Sequence, residues 1–338
     1  MKYISINKPY EVEIKEREKP VPGQGEALLK MLYGGICGSD LGTYRGNFAY
    51  SGYPRVPGHE IAARIEEIGE NGLGLKAGLA VTVNPYMNCG KCYSCRRGLV
   101  NACMSNETLG CQRDGAFAEY FTIPADRIYD GKGIPAKTLA AVEPFSVSYH
   151  GVSRANPKAG EKVLIVGSGT IGILAMIAAR TFGAEVWMSD ISEEKLERAK
   201  ALGAAGVILN QSPEDFKKGV AAVTDGNGFD VTIEAVGLAS TFQNCIDSAA
   251  FGGRVVLIGI SKQRLDFDFT VIQKKELQVF GSRNARKEDF MAIIDLLSSG
   301  KVNIDAVITD VFPFLSAAEA FRKFDTEGGN MLKTLLAF

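Results

Sequence analysis

The stretch EKVLIVGSGTIGILAMIAARTFGAEVWMSD, residues 161–190, decides the fold. A short apolar strand leads into a glycine-rich turn, an apolar helical segment follows, and a second strand ends in Asp190. The segments GVILN, FDVTIEAVG, GGRVVLIGI and LQVFGSR continue the series, with helical stretches between most of them. Apolar strands that alternate with helices predict an α/β domain built on a doubly wound parallel sheet.

The glycines of this stretch form the pattern G-x-G-x-x-G between a strand and a helix, which is the context that a dinucleotide site requires. They allow a tight turn, close approach of a pyrophosphate and close packing of helix on strand, and the helix N-terminus attracts the anion. Asp190 stands about where a carboxylate binds the adenosine ribose, and it would repel a 2′-phosphate, so we expect NAD rather than NADP. The candidate cofactor residues are Gly167, Gly169, Thr170, Ile171, Gly172, Asp190 and Lys195. The alternative is a glycine turn in an unrelated α/β domain.

The rest of the chain has a different character. The first ~145 residues consist of short alternating runs separated by Gly, Pro and Asn, which predicts an irregular β-rich domain with long loops. The last part begins as an amphipathic helix and ends in strand-like segments. A chain of 338 residues is long enough for two domains, each with its own core.

Composition narrows the function classes. The net charge of −1 and the lack of a polybasic run argue against a nucleic-acid or membrane partner. No apolar segment approaches the ~20 residues of a bilayer span, and the N-terminus does not resemble a signal peptide. We therefore expect a cytoplasmic protein with a small-molecule substrate.

Four of the seven cysteines lie within fifteen residues, in the spacing C-x2-C-x2-C-x7-C. Four close thiolates suit a closed tetrahedral zinc shell with a structural role, and an iron–sulfur cluster is the rival. The predicted ligands are Cys89, Cys92, Cys95 and Cys103. Cys111 and Cys245, by contrast, are interpreted as small buried apolar residues.

A second group of candidate ligands is spread along the chain: Cys37 in GGICGSD, His59 and Glu60 in PGHE, and Glu143 in VEPF. One thiolate, one imidazole and one or two carboxylates form an incomplete shell, which leaves a position for water or substrate. From the residues alone, His59 and Glu60 are as readily structural as metal-binding.

The motifs GGICGSD, PGHE, the four-cysteine lobe, EPFSVSYH and VGSGTIG occur in an order and at spacings that resemble the zinc-dependent medium-chain dehydrogenase family, in particular its polyol (sorbitol) dehydrogenase branch. The resemblance covers essentially the whole chain. The stretches YPRVPGHE, DGAFAEYFTIPA, EPFSVSYH and KKELQVFGSRNA are similar to the bacterial subgroup that oxidises L-galactonate or L-gulonate at C5.

The resemblance implies a GroES-like catalytic domain at residues 1–147, with the zinc lobe at about 86–104. It also implies a Rossmann NAD-binding domain at 148–283 and a C-terminal return at 284–338 that completes the catalytic domain. The active site would lie in the cleft between the two domains. Relatives are dimers or tetramers, so we expect a homo-oligomer, most simply a tetramer.

By the same resemblance, Cys37 and His59 are ligands of a catalytic zinc, in addition to the structural one. Glu60 is the third ligand of the polyol branch, and Glu143 is either a ligand or the residue that holds the zinc-bound water. Ser39 takes the substrate proton, and Asp40 supports the ligand histidine.

The substrate residues are less clearly marked. Arg283 and Asn284 follow the last predicted strand, and a guanidinium there is able to bind a carboxylate with two parallel hydrogen bonds. The alternative is that Arg283 pairs with Glu143 or contacts the cofactor. Tyr44 is a further candidate for the pocket, and Gly42 replaces the histidine that relays the proton in many relatives.

The sequence therefore predicts zinc- and NAD-dependent oxidation of a secondary alcohol to a ketone, with a sugar acid as substrate. A neutral polyol dehydrogenase and an L-threonine 3-dehydrogenase are the alternatives within the enzyme class. A non-catalytic redox sensor that binds NAD and zinc is the alternative outside it.

Overall fold

The computed structural model describes residues 1–48, 52–260, 264–329 and 331–338. It divides into two compact units, Met1–Glu143 with Ala285–Phe338, and Pro144–Asn284. These divisions fall at 143/144 and 284/285, whereas the sequence predicted 147/148 and 283/284. Within the described residues, no helix is both long enough and apolar enough to cross a membrane.

The strands are β1 (Lys2–Lys8), β2 (Glu11–Glu16), β3 (Glu26–Ile36), β4 (Glu60–Ile68), β5 (Ala80–Val83), β6 (Tyr86–Met87), β7 (Glu107–Thr108), β8 (Tyr120–Pro124), β9 (Ile128–Asp130), β10 (Lys162–Val166), β11 (Glu185–Asp190), β12 (Gly206–Leu209), β13 (Phe229–Glu234), β14 (Ala249–Leu257), β15 (Gln278–Gly281), β16 (Ile308–Pro313) and β17 (Lys333–Ala337).

The helices are α1 (Gly38–Arg45), α2 (Tyr93–Arg96), α3 (Ala136–Leu139), α4 (Val142–Ala155), α5 (Thr170–Thr181), α6 (Glu193–Ala201), α7 (Pro213–Thr224), α8 (Ala239–Ser248), α9 (Thr270–Lys275), α10 (Lys287–Ser298) and α11 (Ala317–Glu327). Short 3₁₀ turns span Val100–Ala102, Ala125–Arg127, Asp305–Val307 and Phe314–Ser316.

The unit Pro144–Asn284 is built on a six-stranded parallel sheet in the order β12-β11-β10-β13-β14-β15. The strand β10 is central, and its residues Val163–Val166 are buried, as expected for a parallel strand covered on both faces. The chain leaves β10 towards β11 on one side and later returns to β13 on the other. The carboxyl end of β10 is therefore the point where ligands bind in open α/β sheets. The predicted α/β fold class is confirmed.

The other unit contains a seven-stranded sheet in the order β16-β17-β3-β4-β5-β9, with β8 also paired to β3. The C-terminal strand β17 pairs antiparallel with β3, so the chain end completes the sheet of the N-terminal region. On its other side β3 pairs antiparallel with β4, and Gly35 lies opposite Glu60. This register brings the end of β3 and the beginning of β4 to the same edge of the sheet.

Candidate metal and cofactor sites

Three predicted ligands meet where β3 ends and β4 begins. Cys37 follows β3 and caps the N-terminus of α1, while His59 directly precedes Glu60, the first residue of β4. The potential ligand atoms of these three residues lie within 4.8 Å of one another. One sulfur, one imidazole nitrogen and one carboxylate oxygen suit zinc, and three protein ligands are the number typical of a catalytic zinc site.

The surroundings of the cluster fit a cation. His59 Nδ1 and Glu60 Oε2 are both buried and have no hydrogen-bond partner. Such atoms are costly to bury unless a ligand satisfies them. A Cβ atom at Gly35 would overlap Glu60 Oε2, so only glycine leaves room for the carboxylate at this point of β3.

Asp40 holds the two ligand loops together. Its buried carboxylate accepts hydrogen bonds from the backbone N–H of Cys37, at 3.0 Å, and of Gly58, at 3.2 Å. Its Oδ1 lies 3.9 Å from His59 Nδ1. Burial lowers the pKa of His59, but the negative charges of Asp40 and Cys37 outweigh burial and raise it well above its usual value. The negative charges around His59 therefore make this site favourable for a cation.

Glu143, on the first turn of α4, is not one of the three residues that meet at the cluster. It is buried and accepts a hydrogen bond from the hydroxyl of Tyr86. Burial, together with the nearby Glu60, raises the pKa of Glu143 to about 7. The role of Glu143, as a metal ligand or as the residue that holds a water, stays a prediction.

Ser39 lies on the first turn of α1, two residues after Cys37, and is half-buried. The buried Cys111 thiol forms a side-chain hydrogen bond with Ser39, and burial raises its pKa to about 11. The prediction that Cys111 is buried holds. The sequence did not indicate that the Cys111 thiol lies beside Ser39, the predicted proton acceptor.

Two further residues of this site were missed. Lys333 on β17 is buried, and its Nζ donates to Glu60 Oε1 at 2.6 Å. Burial lowers the pKa of Lys333, but Glu60 and Cys37 outweigh it and raise the pKa, so the ammonium stays charged. A lysine in the mostly apolar run MLKTLLAF was a sequence signal for a buried charge, whereas no sequence pattern marked Tyr86.

The four clustered cysteines also meet as predicted, with their sulfur atoms within 4.8 Å of one another. Backbone N–H groups point at the sulfurs: Cys89 N lies 3.3 Å from Cys103 Sγ, and Cys92 N lies 3.4 Å from Cys89 Sγ. Hydrogen bonds from the backbone of Met104 and Cys95 lower the pKa of Cys92 to about 6. Thiolate-stabilising amides and an S4 donor set fit a tetrahedral structural zinc.

The glycine-rich turn lies between β10 and α5, as the sequence predicts. Gly167 has a positive φ of 108°, and Gly169 caps the helix with open space where a side chain would stand. A Cβ atom on Gly172 would overlap the carbonyl oxygen of Gly167, so the close packing of helix on strand requires glycine there. Thr170 and Ile171, both partly exposed, form the first turn of α5.

Asp190 ends β11 beside this turn. Its carboxylate accepts hydrogen bonds from the backbone N–H of Ser168, at 2.8 Å, and of Ser192, at 3.1 Å. Ser192 caps α6 and accepts a hydrogen bond from the backbone N–H of Lys195. The acidic side chain is thus fixed beside the glycine-rich turn.

Tyr44, one of the predicted substrate residues, lies in the hydrophobic core. The ring of Tyr44 packs against Tyr10 and Phe321 in an apolar cluster, because the helical period turns this side chain inward with Leu41. Tyr44 is thus part of the core, which corrects its prediction as a pocket residue.

Arg283 is exposed just after β15, and Asn284 has a left-handed backbone with φ 53°. At Gly42, an added Cβ atom would lie 3.2 Å from Phe48 Cβ, so Phe48 fills the space where a relay side chain would stand.

Comparison with known proteins identifies the family. Residues 23–134 match the alcohol dehydrogenase GroES-like domain, and residues 170–299 match the zinc-binding dehydrogenase domain. L-galactonate-5-dehydrogenase of Escherichia coli K12 is 36% identical over 338 residues, covering 100% of this chain and 99% of that protein. L-threonine 3-dehydrogenase of Pyrococcus horikoshii is 38% identical over 327 residues, covering 94% and 93%.

A crystal structure of an Escherichia coli CFT073 alcohol dehydrogenase with NADH superposes with a TM-score of 0.93 at 32% identity, covering 100% of this chain and 99% of that one. These similarities confirm the predicted enzyme class, the pairing of a GroES-like with an NAD-binding domain, and the predicted cofactors, zinc and NAD. The chain belongs to the medium-chain, zinc-dependent alcohol dehydrogenase family.

Proposed function

We propose that this enzyme oxidises a secondary alcohol of a sugar acid, L-galactonate or L-gulonate at C5, to the ketone, with NAD as hydride acceptor. The observation that carries the reaction type is the three-ligand cluster of Cys37, His59 and Glu60, with Ser39 two residues after Cys37 on the first turn of α1. The sugar acid is supported by the full-length similarity to L-galactonate-5-dehydrogenase and by the presence of an arginine, Arg283, that is exposed directly after β15.

The proposed division of labour follows from the residues. Cys37, His59 and Glu60 would hold the catalytic zinc, and the four clustered cysteines a second, structural one. A bound zinc supplies Lewis acidity, which lowers the pKa of an alcohol. Ser39 accepts the proton of the substrate hydroxyl, and Glu143, held by Tyr86, orients a water.

The proton must leave Ser39 by a route other than residue 42, because Gly42 has no side chain and Phe48 occupies the adjoining space. We propose that it passes to water or to a ribose hydroxyl of the cofactor. The preference for NAD over NADP is supported by the fixed carboxylate of Asp190, which would repel a 2′-phosphate.

A substrate panel tests the proposal. NADH formation is followed by absorbance with L-galactonate, L-gulonate, neutral polyols and L-threonine, and each substrate is repeated with NADP. We expect the highest kcat/KM with an L-aldonate and NAD.

The panel is needed because the threonine dehydrogenase is as similar to this chain as the galactonate dehydrogenase. Highest activity on threonine or on a neutral polyol would replace the sugar acid. No activity on any alcohol would favour the sensor, although a sensor has no need of Ser39 beside three metal ligands.

Substitution of Arg283 tests whether this residue binds the carboxylate of the substrate. If its guanidinium binds the acid group of the substrate, Arg283→Ala lowers kcat/KM for the aldonate by about 10-fold to 100-fold, since a charged hydrogen bond contributes about 1.5–3 kcal/mol. The matching neutral polyol should lose far less. Arg180→Ala, which removes another exposed arginine of the same unit, serves as the control. Equal losses on acid and polyol would exclude a role of Arg283 in binding the carboxylate.

The proposal also covers the oligomeric state and the cellular location of the enzyme. We expect a homo-oligomer, a tetramer in preference to a dimer, which light scattering of the purified protein measures directly. A cytoplasmic location is supported by the four close thiolates, since a reducing compartment keeps such a cluster available for metal.

A further inference from the structure

The buried lysine of the last strand contacts the catalytic cluster. Lys333 is 3% exposed, and its Nζ donates to Glu60 Oε1 at 2.6 Å and to the carbonyl oxygen of Ile36 at 3.2 Å. Its neighbour Thr334 pairs with Ile36, the residue that precedes Cys37. The antiparallel pairing of β17 with β3 therefore brings one positive charge into contact with Glu60, one of the three candidate metal ligands.

The two oxygens of Glu60 have different surroundings. Oε1 accepts the hydrogen bond from Lys333, whereas Oε2 is buried without a partner and lies over the glycine at position 35. A carboxylate with both oxygens free could bind a metal through both. Here one oxygen is occupied by an ammonium, so only Oε2 remains for the cluster.

A purely structural ion pair is the simpler explanation. However, a buried ion pair adds little net stability, because the desolvation of two charges offsets their attraction. Lys333 interacts with Cys37 as well as with Glu60, so it acts on two of the three candidate metal ligands rather than forming an isolated ion pair.

We propose that Lys333 is a positioning residue that restricts Glu60 to one metal-binding oxygen and thereby keeps the fourth coordination position open for the alcohol. Its charge also makes Glu60 a weaker donor, so that a bound metal ion remains a stronger Lewis acid. The inference rests on the proposed function of the Cys37–His59–Glu60 cluster. Without the ammonium, Glu60 would bind through both oxygens and close the position.

The test uses Co²⁺ as the metal, because its visible absorption reports coordination number without any substrate. The protein is depleted of metal and reloaded with Co²⁺, and the spectrum of the equally treated His59→Gln variant is subtracted to isolate this site. We expect Lys333→Met to shift the absorption towards a weaker, higher-coordinate spectrum and to lower kcat by about 10-fold to 100-fold. Lys333→Arg, which keeps the charge, should retain the wild-type spectrum.

Two further variants separate the role in positioning from a role in folding. Lys275→Met removes another lysine whose Nζ donates only to backbone carbonyls among its described contacts, and should leave the cobalt spectrum unchanged. Lys333→Leu also removes both the charge and the donor, and it decides the matter if Lys333→Met does not fold. A wild-type cobalt spectrum in the folded Met or Leu variant would overturn the inference. If wild-type protein binds no Co²⁺ at this site, the proposed function itself fails.

Discussion

Substitution of His59 by glutamine is expected to remove one of two zinc ions per chain and to lower kcat/KM by about 1,000-fold or more. His59 supplies the imidazole of the three-residue cluster, and the remaining thiolate and carboxylate are too few to hold a metal tightly. A metal ion contributes several kcal/mol of transition-state stabilisation, and each 1.36 kcal/mol corresponds to a factor of ten in rate. Metal analysis of the purified variant and NADH absorbance measure the two effects.

The chain offers a matched control, since it contains only two histidines. His150 is also buried but lies on α4 in the unit Pro144–Asn284. His150→Gln makes the same chemical change at a buried imidazole and should keep both zinc ions. Retention of two zinc ions by the His59 variant would show that this cluster is not a zinc site. A comparable loss of zinc in both variants would mean that the loss follows from destabilisation.

How much of the molecule the sequence predicts depends on how far apart the interacting residues lie. The glycine-rich turn and its flanking strand and helix occupy one continuous stretch, so their pattern alone indicated the fold and the cofactor. The four clustered cysteines lie within fifteen residues, and short turns suffice to bring them together. In both places the residues that form the site are close together in the sequence, so a local pattern was enough to predict it.

The second metal cluster depends on sheet register. Cys37 and Glu60 meet because Gly35 lies opposite Glu60 in the β3–β4 pairing, which no local pattern specifies. The family resemblance supplied that information. It did not indicate the contact of Lys333 with Glu60, which joins residues 273 positions apart through the pairing of the last strand.

Tyr44 shows a different kind of error. The sequence offered Tyr44 as a candidate for the pocket, but the helical period of α1 turns its side chain inward together with that of Leu41. The ring therefore packs in the core with Phe321. Distance along a helix predicts position only when its rotational phase is included.

Substitution of Cys103 by serine is expected to remove the other zinc ion and to destabilise the loop around it. The segment is poorly suited to stability of its own: it contains a four-residue helix and a three-residue 3₁₀ turn, and Tyr93 and Met104 are 61% and 75% exposed. The metal would be its main cross-link, since zinc binding by small domains is coupled to their folding. A few kcal/mol of lost stability correspond to a fall in Tm of about 10 °C.

Limited digestion with trypsin locates this effect, because Lys91, Arg96 and Arg97 lie within the segment. We expect rapid cleavage there in Cys103→Ser, together with one zinc ion per chain and a lower Tm. Cys245→Ser makes the same change at another fully buried thiol, outside the segment, and should keep both zinc ions and resist this cleavage.

The variants of the two metal sites are distinguished by the property that each one loses. His59→Gln removes activity while the lobe stays resistant to trypsin, whereas Cys103→Ser first loses the order of the lobe. A Cys103 variant that keeps two zinc ions and the wild-type digestion pattern would show that the four sulfurs do not hold a structural metal.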